Sequence, residues 1–124
     1  MALIELTDGD DEFDARARPD WDEIDGKAGN DSITIGTHTY VSGPGNDTII
    51  GTTAWSTVVL WNATAPTYVD LDQGYLLDGQ GGRDTLSGVR IVHGSGQPGT
   101  FLGSAAAETF WLLRDGGDIV DGRG

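Results

Sequence analysis

The chain has no cysteine, so neither disulfides nor thiolate metal sites are available to hold it together. That does not argue against secretion if metal ions do the stapling. Basic residues are scarce: 7 Lys and Arg stand against 20 Asp and Glu, for a net charge of −13 over 124 residues. Such a chain repels nucleic acid and anionic membranes and attracts cations. An acidic surface that merely keeps a protein in solution fits the charge equally well. No apolar run approaches the roughly 20 residues needed to cross a membrane. The start, Met1-Ala2-Leu3-Ile4-Glu5-Leu6, is too short and too soon acidic for a signal peptide. What is abundant is glycine, 20 of 124, about twice the usual share. With few helix formers beside it, this composition predicts a chain that is not helical, of one domain or a piece of one.

The glycines fall in a pattern. Gly26-Lys27-Ala28-Gly29-Asn30-Asp31-Ser32-Ile33-Thr34 fits the nonapeptide G-G-x-G-x-D-x-U-x, where U is large and apolar, with Lys27 at the second Gly. Glycines let the chain turn where side chains would clash. The Asp offers a hard oxygen ligand, and turn carbonyls can supply more. The apolar residue two positions on points inward and starts a short strand. Ser42-Gly43-Pro44-Gly45-Asn46-Asp47-Thr48-Ile49-Ile50 and Gly79-Gln80-Gly81-Gly82-Arg83-Asp84-Thr85-Leu86-Ser87 are further copies. Degenerate ones centre on Asp11, Asp22 and Asp118, and one has Glu108 in place of Asp.

Asp22 and Asp31 are nine residues apart, one repeat; Asp11 and Asp31 are twenty apart, and Asp31 and Asp47 sixteen. Two nonapeptides make one coil of about 18 residues, so Asp11, Asp31 and Asp47 are expected to stack along one edge. Asp22 then lies on the opposite edge, which next passes Gly36-Thr37-His38-Thr39 and has no ligand Asp there. The spacing predicts one well-formed cation edge and one poor one.

Between the repeats, Thr57-Val58-Val59-Leu60-Trp61 reads as a strand buried on both faces, and Thr67-Tyr68-Val69-Asp70-Leu71 as another. Val89 and Ile91 are expected on one face of a third. The chain divides into N-terminal repeats over 1–50, a repeat-poor β insert over 51–78 and C-terminal repeats over 79–124. Its last residues, Gly122-Arg123-Gly124, break off inside a glycine turn, so a fragment of a longer protein is expected.

On these motifs the sequence resembles the RTX, or hemolysin-type, calcium-binding repeat family. The resemblance is strong at 26–34, 42–50 and 79–87 and weaker at 8–14, 17–25, 104–110 and 115–121. It implies an all-β, right-handed parallel β-roll, a β-solenoid with Ca2+ between stacked turns, in a bacterial protein secreted by a type I exporter. It further implies Asp31, Asp47 and Asp84 as side-chain ligands. The turns holding Gly26, Gly29 and Asn30, then Gly43, Gly45 and Asn46, then Gly79 and Gly82 would complete the shells. Asp11, Asp22 and Asp118 are weaker candidates, and the longer side chain of Glu108 departs from the pattern.

Other signals are thinner. Gly94-Ser95-Gly96-Gln97-Pro98-Gly99 matches G-x-G-x-x-G, but Pro98 and the β-like Thr100-Phe101-Leu102 oppose the helix a dinucleotide site needs. His38 and His93 read as strand or turn residues. Asp70 and Asp72 read as a solvated strand face. Trp61 and Trp111 read as core, while Trp21 and Trp55 stay open between core and surface. The expected function is a non-catalytic calcium-binding module whose partners are calcium ions, with extracellular polysaccharide or further repeats of a parent chain beside them. The alternatives are a fragment of a polysaccharide-active β-helix enzyme and a glycan-binding adhesion module.

Overall fold

The computed structural model describes residues 3–16, 22–36, 38–61, 63–94, 97–104, 109–111 and 119–121. Among them are strands and no helix. In chain order the strands are β1 (Leu3–Glu5), β2 (Glu12–Asp14), β3 (Glu23–Asp25), β4 (Ser32–Thr34), β5 (Thr39–Val41), β6 (Thr48–Ile50) and β7 (Thr57–Val59). There follow β8 (Thr67–Asp70), β9 (Tyr75–Leu77), β10 (Arg83–Ser87), β11 (Ile91–His93), β12 (Gly99–Leu102), β13 (Thr109–Trp111) and β14 (Ile119–Asp121).

The strands build two sheets. One has the order β1-β3-β5-β7-β11-β13, the other β14-β12-β8-β9-β10-β6-β4-β2. Up to β7 successive strands alternate between the sheets, and each pairs in parallel with the strand two places on. Most strands are three residues long because the repeat allots them only x-U-x; glycine turns take the rest. Ile33 and Ile49 are buried inside Ser32–Thr34 and Thr48–Ile50 while Ser32, Thr48 and Ile50 stay exposed.

Register lines the inward residues into columns. Ile4, Ile24, Tyr40, Val58, Val92 and Phe110 align across the first sheet. Phe13, Ile33, Ile49 and Leu86 align across the second, as do Val69 and Phe101 farther along. Ala15, Ile35, Leu60 and Val89 fill the corners beyond the strands.

After β7 the alternation breaks. β8, β9 and β10 all lie in the second sheet, with β9 antiparallel to both neighbours. β10 then pairs with β6 and β11 with β7, both in parallel, so the register resumes across the detour. The antiparallel β9 is not foreseen in the sequence. Tyr75-Leu76-Leu77 is short and stands between Gly74, in a left-handed turn, and Asp78.

Two expectations about strands are corrected. Val89 and Ile91 do not share a strand face: β11 starts at Ile91, Val92 is its inward residue, and Val89, buried, lies outside the strand. Nor does Trp61 lie in the core. β7 ends at Val59, and Trp61 sits in the following turn, 48% exposed. Trp21 and the Trp111 side chain lie outside the described residues.

Ile49 and Ile50 are adjacent, but only Ile49 sits between Ile33 and Leu86 in the inward column. Ile49→Ala is expected to cost about 2–5 kcal/mol of stability, the range for emptying a filled core site. Ile50→Ala, on the open face, should cost about 0.5 kcal/mol. Chemical denaturation of the two variants measures the difference.

Candidate metal centre

The turns entering β2, β4 and β6 and the start of β10 place Asp11, Asp31, Asp47 and Asp84 one above another. The Asp11 N–H donates to Asp31 Oδ1 at 2.9 Å, the Asp31 N–H to Asp47 Oδ1 at 3.0 Å and the Asp47 N–H to Asp84 Oδ1 at 2.9 Å. The expected stack of Asp11, Asp31 and Asp47 is therefore built, and Asp84 joins it after the meander. A second ladder runs beside it in the opposite sense. Asn30 N–H donates to Asp10 Oδ1, Asn46 N–H to Asn30 Oδ1 and Arg83 N–H to Asn46 Oδ1, all within 2.8–2.9 Å. Asn30 and Asn46 thus clamp one turn to the next through their side-chain oxygens.

Close stacking explains the glycines. Gly29 and Gly45 hold φ of 101° and 111°, and a Cβ on either would run into the carbonyl of Gly9 or Gly29 one turn earlier. Gly82 meets the Gly45 carbonyl and Gly43 the Lys27 carbonyl in the same way. Gly26 leaves room for the Tyr40 hydroxyl and Asp31 Oδ2. Gly79, with φ of 73°, packs instead against the Ala63–Thr67 segment and does not join this stack. Lys27 takes the left-handed φ of 60° that the repeat's second glycine would occupy, and its ammonium pairs with Glu5 at 3.1 Å.

The carboxylates of this edge are buried. Asp31, Asp47 and Asp84 are almost inaccessible, and so is Asp78, which the sequence reading did not single out. Asp78 Oδ1 accepts the N–H groups of Gln80 at 2.7 Å and Gly82 at 2.9 Å. Tyr40, also missed, reaches across from the first sheet and donates its hydroxyl to Asp47 Oδ2 at 2.9 Å. Ser42 Oγ donates to Asp84 Oδ2 at 2.7 Å. Among the described residues, Asp78 Oδ2 has no hydrogen-bond partner, and Asp31 Oδ2 has none within hydrogen-bond geometry, although the Tyr40 hydroxyl lies near enough to favour its charged form. Two clues were present in the sequence: Asp78 directly precedes the Gly79 repeat, and Tyr40 puts a hydroxyl at an inward repeat position.

Burial dominates the electrostatics. Loss of hydration pushes Asp31 and Asp47 up to about 6, against the backbone hydrogen bonds that favour their charged forms. It pushes Asp84 up to about 8. The same burial, with Asp47 beside it, raises Tyr40 and keeps it a neutral donor. No positive side chain offsets these groups: among the described residues, the Arg83 guanidinium lies over the Tyr75 ring at 4.5 Å and Lys27 is engaged by Glu5.

Asp11 is occupied differently, accepting both the Thr7 N–H and the Thr7 hydroxyl. Among the described residues, no three or more Asp, Glu or His side chains form a group that could hold a metal ion by themselves. Any ion on this edge would therefore draw on turn carbonyls as well. Asp118 and Glu108 lie outside the described residues.

The opposite edge stacks Asp22, His38, Ser56 and Arg90. His38 Nδ1 accepts the Asp22 N–H at 2.9 Å, and its ring lies 3.8 Å from Asp22 Oδ2. Ser56 Oγ donates to the Gly36 carbonyl at 2.5 Å and accepts the Thr52 and Thr53 N–H groups. Asp, His and Ser thus share one column, yet the serine proton is committed to backbone and the imidazole Nδ1 is an acceptor. This is turn support, unlike the relay in which Nδ1–H faces the carboxylate. The Asp70–Asp72 expectation is corrected. Asp70 ends β8, is buried, and accepts the Asp72 and Gln73 N–H groups at 3.1 and 3.0 Å, so the pair is a turn and not a solvated strand face.

The raised carboxyls set a sign for pH. With no metal present, the folded state keeps protons on Asp31, Asp47 and Asp84 that the unfolded chain has lost above about pH 4. The folded state then binds more protons, so stability falls as pH rises from about 4 to about 8. Thermal melting in excess chelator should show Tm falling between pH 5 and pH 8, with a flatter slope in Asp84→Asn. A Tm that rises over that interval would contradict the burial argument.

No family model, curated protein or solved structure matches this chain.

Proposed function

We propose that the chain is a calcium-binding module of the RTX type, a right-handed parallel β-roll from a secreted bacterial protein, in which Ca2+ supplies the positive charge that the aspartate edge lacks. The observation that carries this reading is the buried row of Asp31, Asp47, Asp78 and Asp84, in which Asp78 Oδ2 has no hydrogen-bond partner among the described residues. An ionised carboxylate out of water with nothing to oppose it is costly. The donor set is all oxygen, which suits a hard cation with six to eight ligands.

Asp31 and Asp47 with the carbonyls of the 26–30 and 42–46 turns would hold one ion. Asp78 and Asp84 with carbonyls of the 79–83 turn would hold another. Asp22 has His38 stacked on it and would hold none. Bound calcium would stabilise the folded chain by mass action, since the unfolded chain does not bring the turns together. The role is binding and scaffolding, not catalysis, because the Asp22–His38–Ser56 column is used up in supporting turns. Export by a type I system, with folding completed in external calcium, belongs to the same reading and follows from the resemblance.

Circular dichroism in excess chelator should show β signal kept near pH 5, where the raised carboxyls hold protons, and reduced at pH 8, restored there by calcium at about 10⁻⁴–10⁻³ M, the range of extracellular modules. In calorimetric titration Asp31→Asn should lose more bound calcium than Asp22→Asn. An unchanged spectrum after exhaustive chelation at pH 8, or equal losses in the two variants, would count against the proposal.

A further inference from the structure

The outer face of the first sheet carries a feature that the aspartate edge does not explain. Trp55 and Trp61 flank β7, one in the turn before it and one in the turn after, and are 67% and 48% exposed. Between them lies a groove of about 290 Å³ across β3, β5, β7 and β11. Ile91 gives its floor an apolar surface, with Val59 fully buried beneath it, and Glu23 adds a carboxylate.

The walls are fixed. The Trp55 N–H donates to Thr53 Oγ1 at 3.1 Å, and its carbonyl accepts the Thr57 hydroxyl at 2.8 Å. The Trp61 indole meets the His93 ring edge-on, with centroids 6.1 Å apart. Two large aromatic surfaces are thus held open to solvent by a rigid frame, which costs hydrophobic free energy unless something covers them. Thr39 lies at the bottom of the groove with its Oγ1 sealed from solvent, so the polar contact open to a ligand is the Glu23 carboxylate.

We propose that this groove binds a neutral saccharide, one or two pyranose units of a longer glycan. A pyranose ring presents an apolar face of C–H bonds, which suits an indole, and a polar rim of hydroxyls. Those hydroxyls match the Glu23 carboxylate, a strong acceptor. The volume sits near the lower end of small-ligand pockets, which start at about 300 Å³. Charge selects the class: Glu23 in the groove and −13 on the chain oppose uronic-acid or sulfated polymers. The site is separate from the proposed calcium edge and does not depend on it.

The test is calorimetric titration of the full chain, in millimolar calcium, with cellohexaose, xylohexaose and mannohexaose, and with hexagalacturonate as the charged arm. At least one neutral hexasaccharide should bind, and Trp55→Ala and Trp61→Ala should each weaken it about tenfold or more, as loss of an aromatic anchor does. Both residues are well exposed, so circular dichroism of the variants should match the parent. Leu77→Ala, an exposed apolar change on the other sheet, should leave binding unchanged. Absence of binding by all three neutral sugars, preference for hexagalacturonate, or wild-type affinity in both Trp variants would overturn the proposal.

Discussion

The N–H of one aspartate donates to the carboxylate of the aspartate in the next turn, and this bond is made at each step from Asp11 to Asp84. To make it, the turns must stack closely enough to bury the carboxylates, and much of the chain's composition follows. Glycine stands at 29, 45 and 82 because a Cβ there would strike the carbonyl of the turn before. Asn30 and Asn46 precede the aspartates because their side-chain oxygens tie the same turns together in the opposite sense. Tyr40 sits in an otherwise apolar column because its hydroxyl crosses the core to Asp47. The backbone bonds satisfy one oxygen of each acid but do not neutralise it, so burial pushes Asp84 up to about 8.

The meander shows how strongly that edge constrains the rest. β8 and β9 carry the chain away from β6, and thirty-seven residues separate Asp47 from Asp84. Even so, β10 returns to β6 with Leu86 opposite Ile49 and Asp84 against the Asp47 N–H. Among the described residues the second sheet has two strands more than the first, eight against six, and the first sheet's column runs on through Val58 and Val92 to Phe110. The detour also delivers Asp78, a buried acid that no repeat position supplies.

What could be read in the sequence was what repeats. The sixteen- and twenty-residue spacings placed Asp11, Asp31 and Asp47 on one edge, because period and stacking are the same fact. The inward Ile33, Ile49 and Leu86 followed from the same register. What depends on contacts between distant segments was not legible. Antiparallel β9 is set by its two neighbours and not by its own three residues. Trp61 looked like core because it ends an apolar run, but the strand stops at Val59 and the indole turns outward. Asp70 looked like half of an exposed pair, but its partners are the backbone N–H groups of the turn that follows. Tyr40 and Asp78 matter through what they face, which spacing does not reveal.

The central claim is that the buried aspartate edge is completed by calcium. The most direct measurement is diffraction from crystals grown in millimolar calcium, collected at a wavelength where the ion scatters anomalously. The account predicts anomalous peaks between the turns that carry Asp31, Asp47 and Asp84, and none on the edge of Asp22 and His38. An edge closed by hydrogen bonds alone, with no peak in crystals that contain calcium, would contradict it.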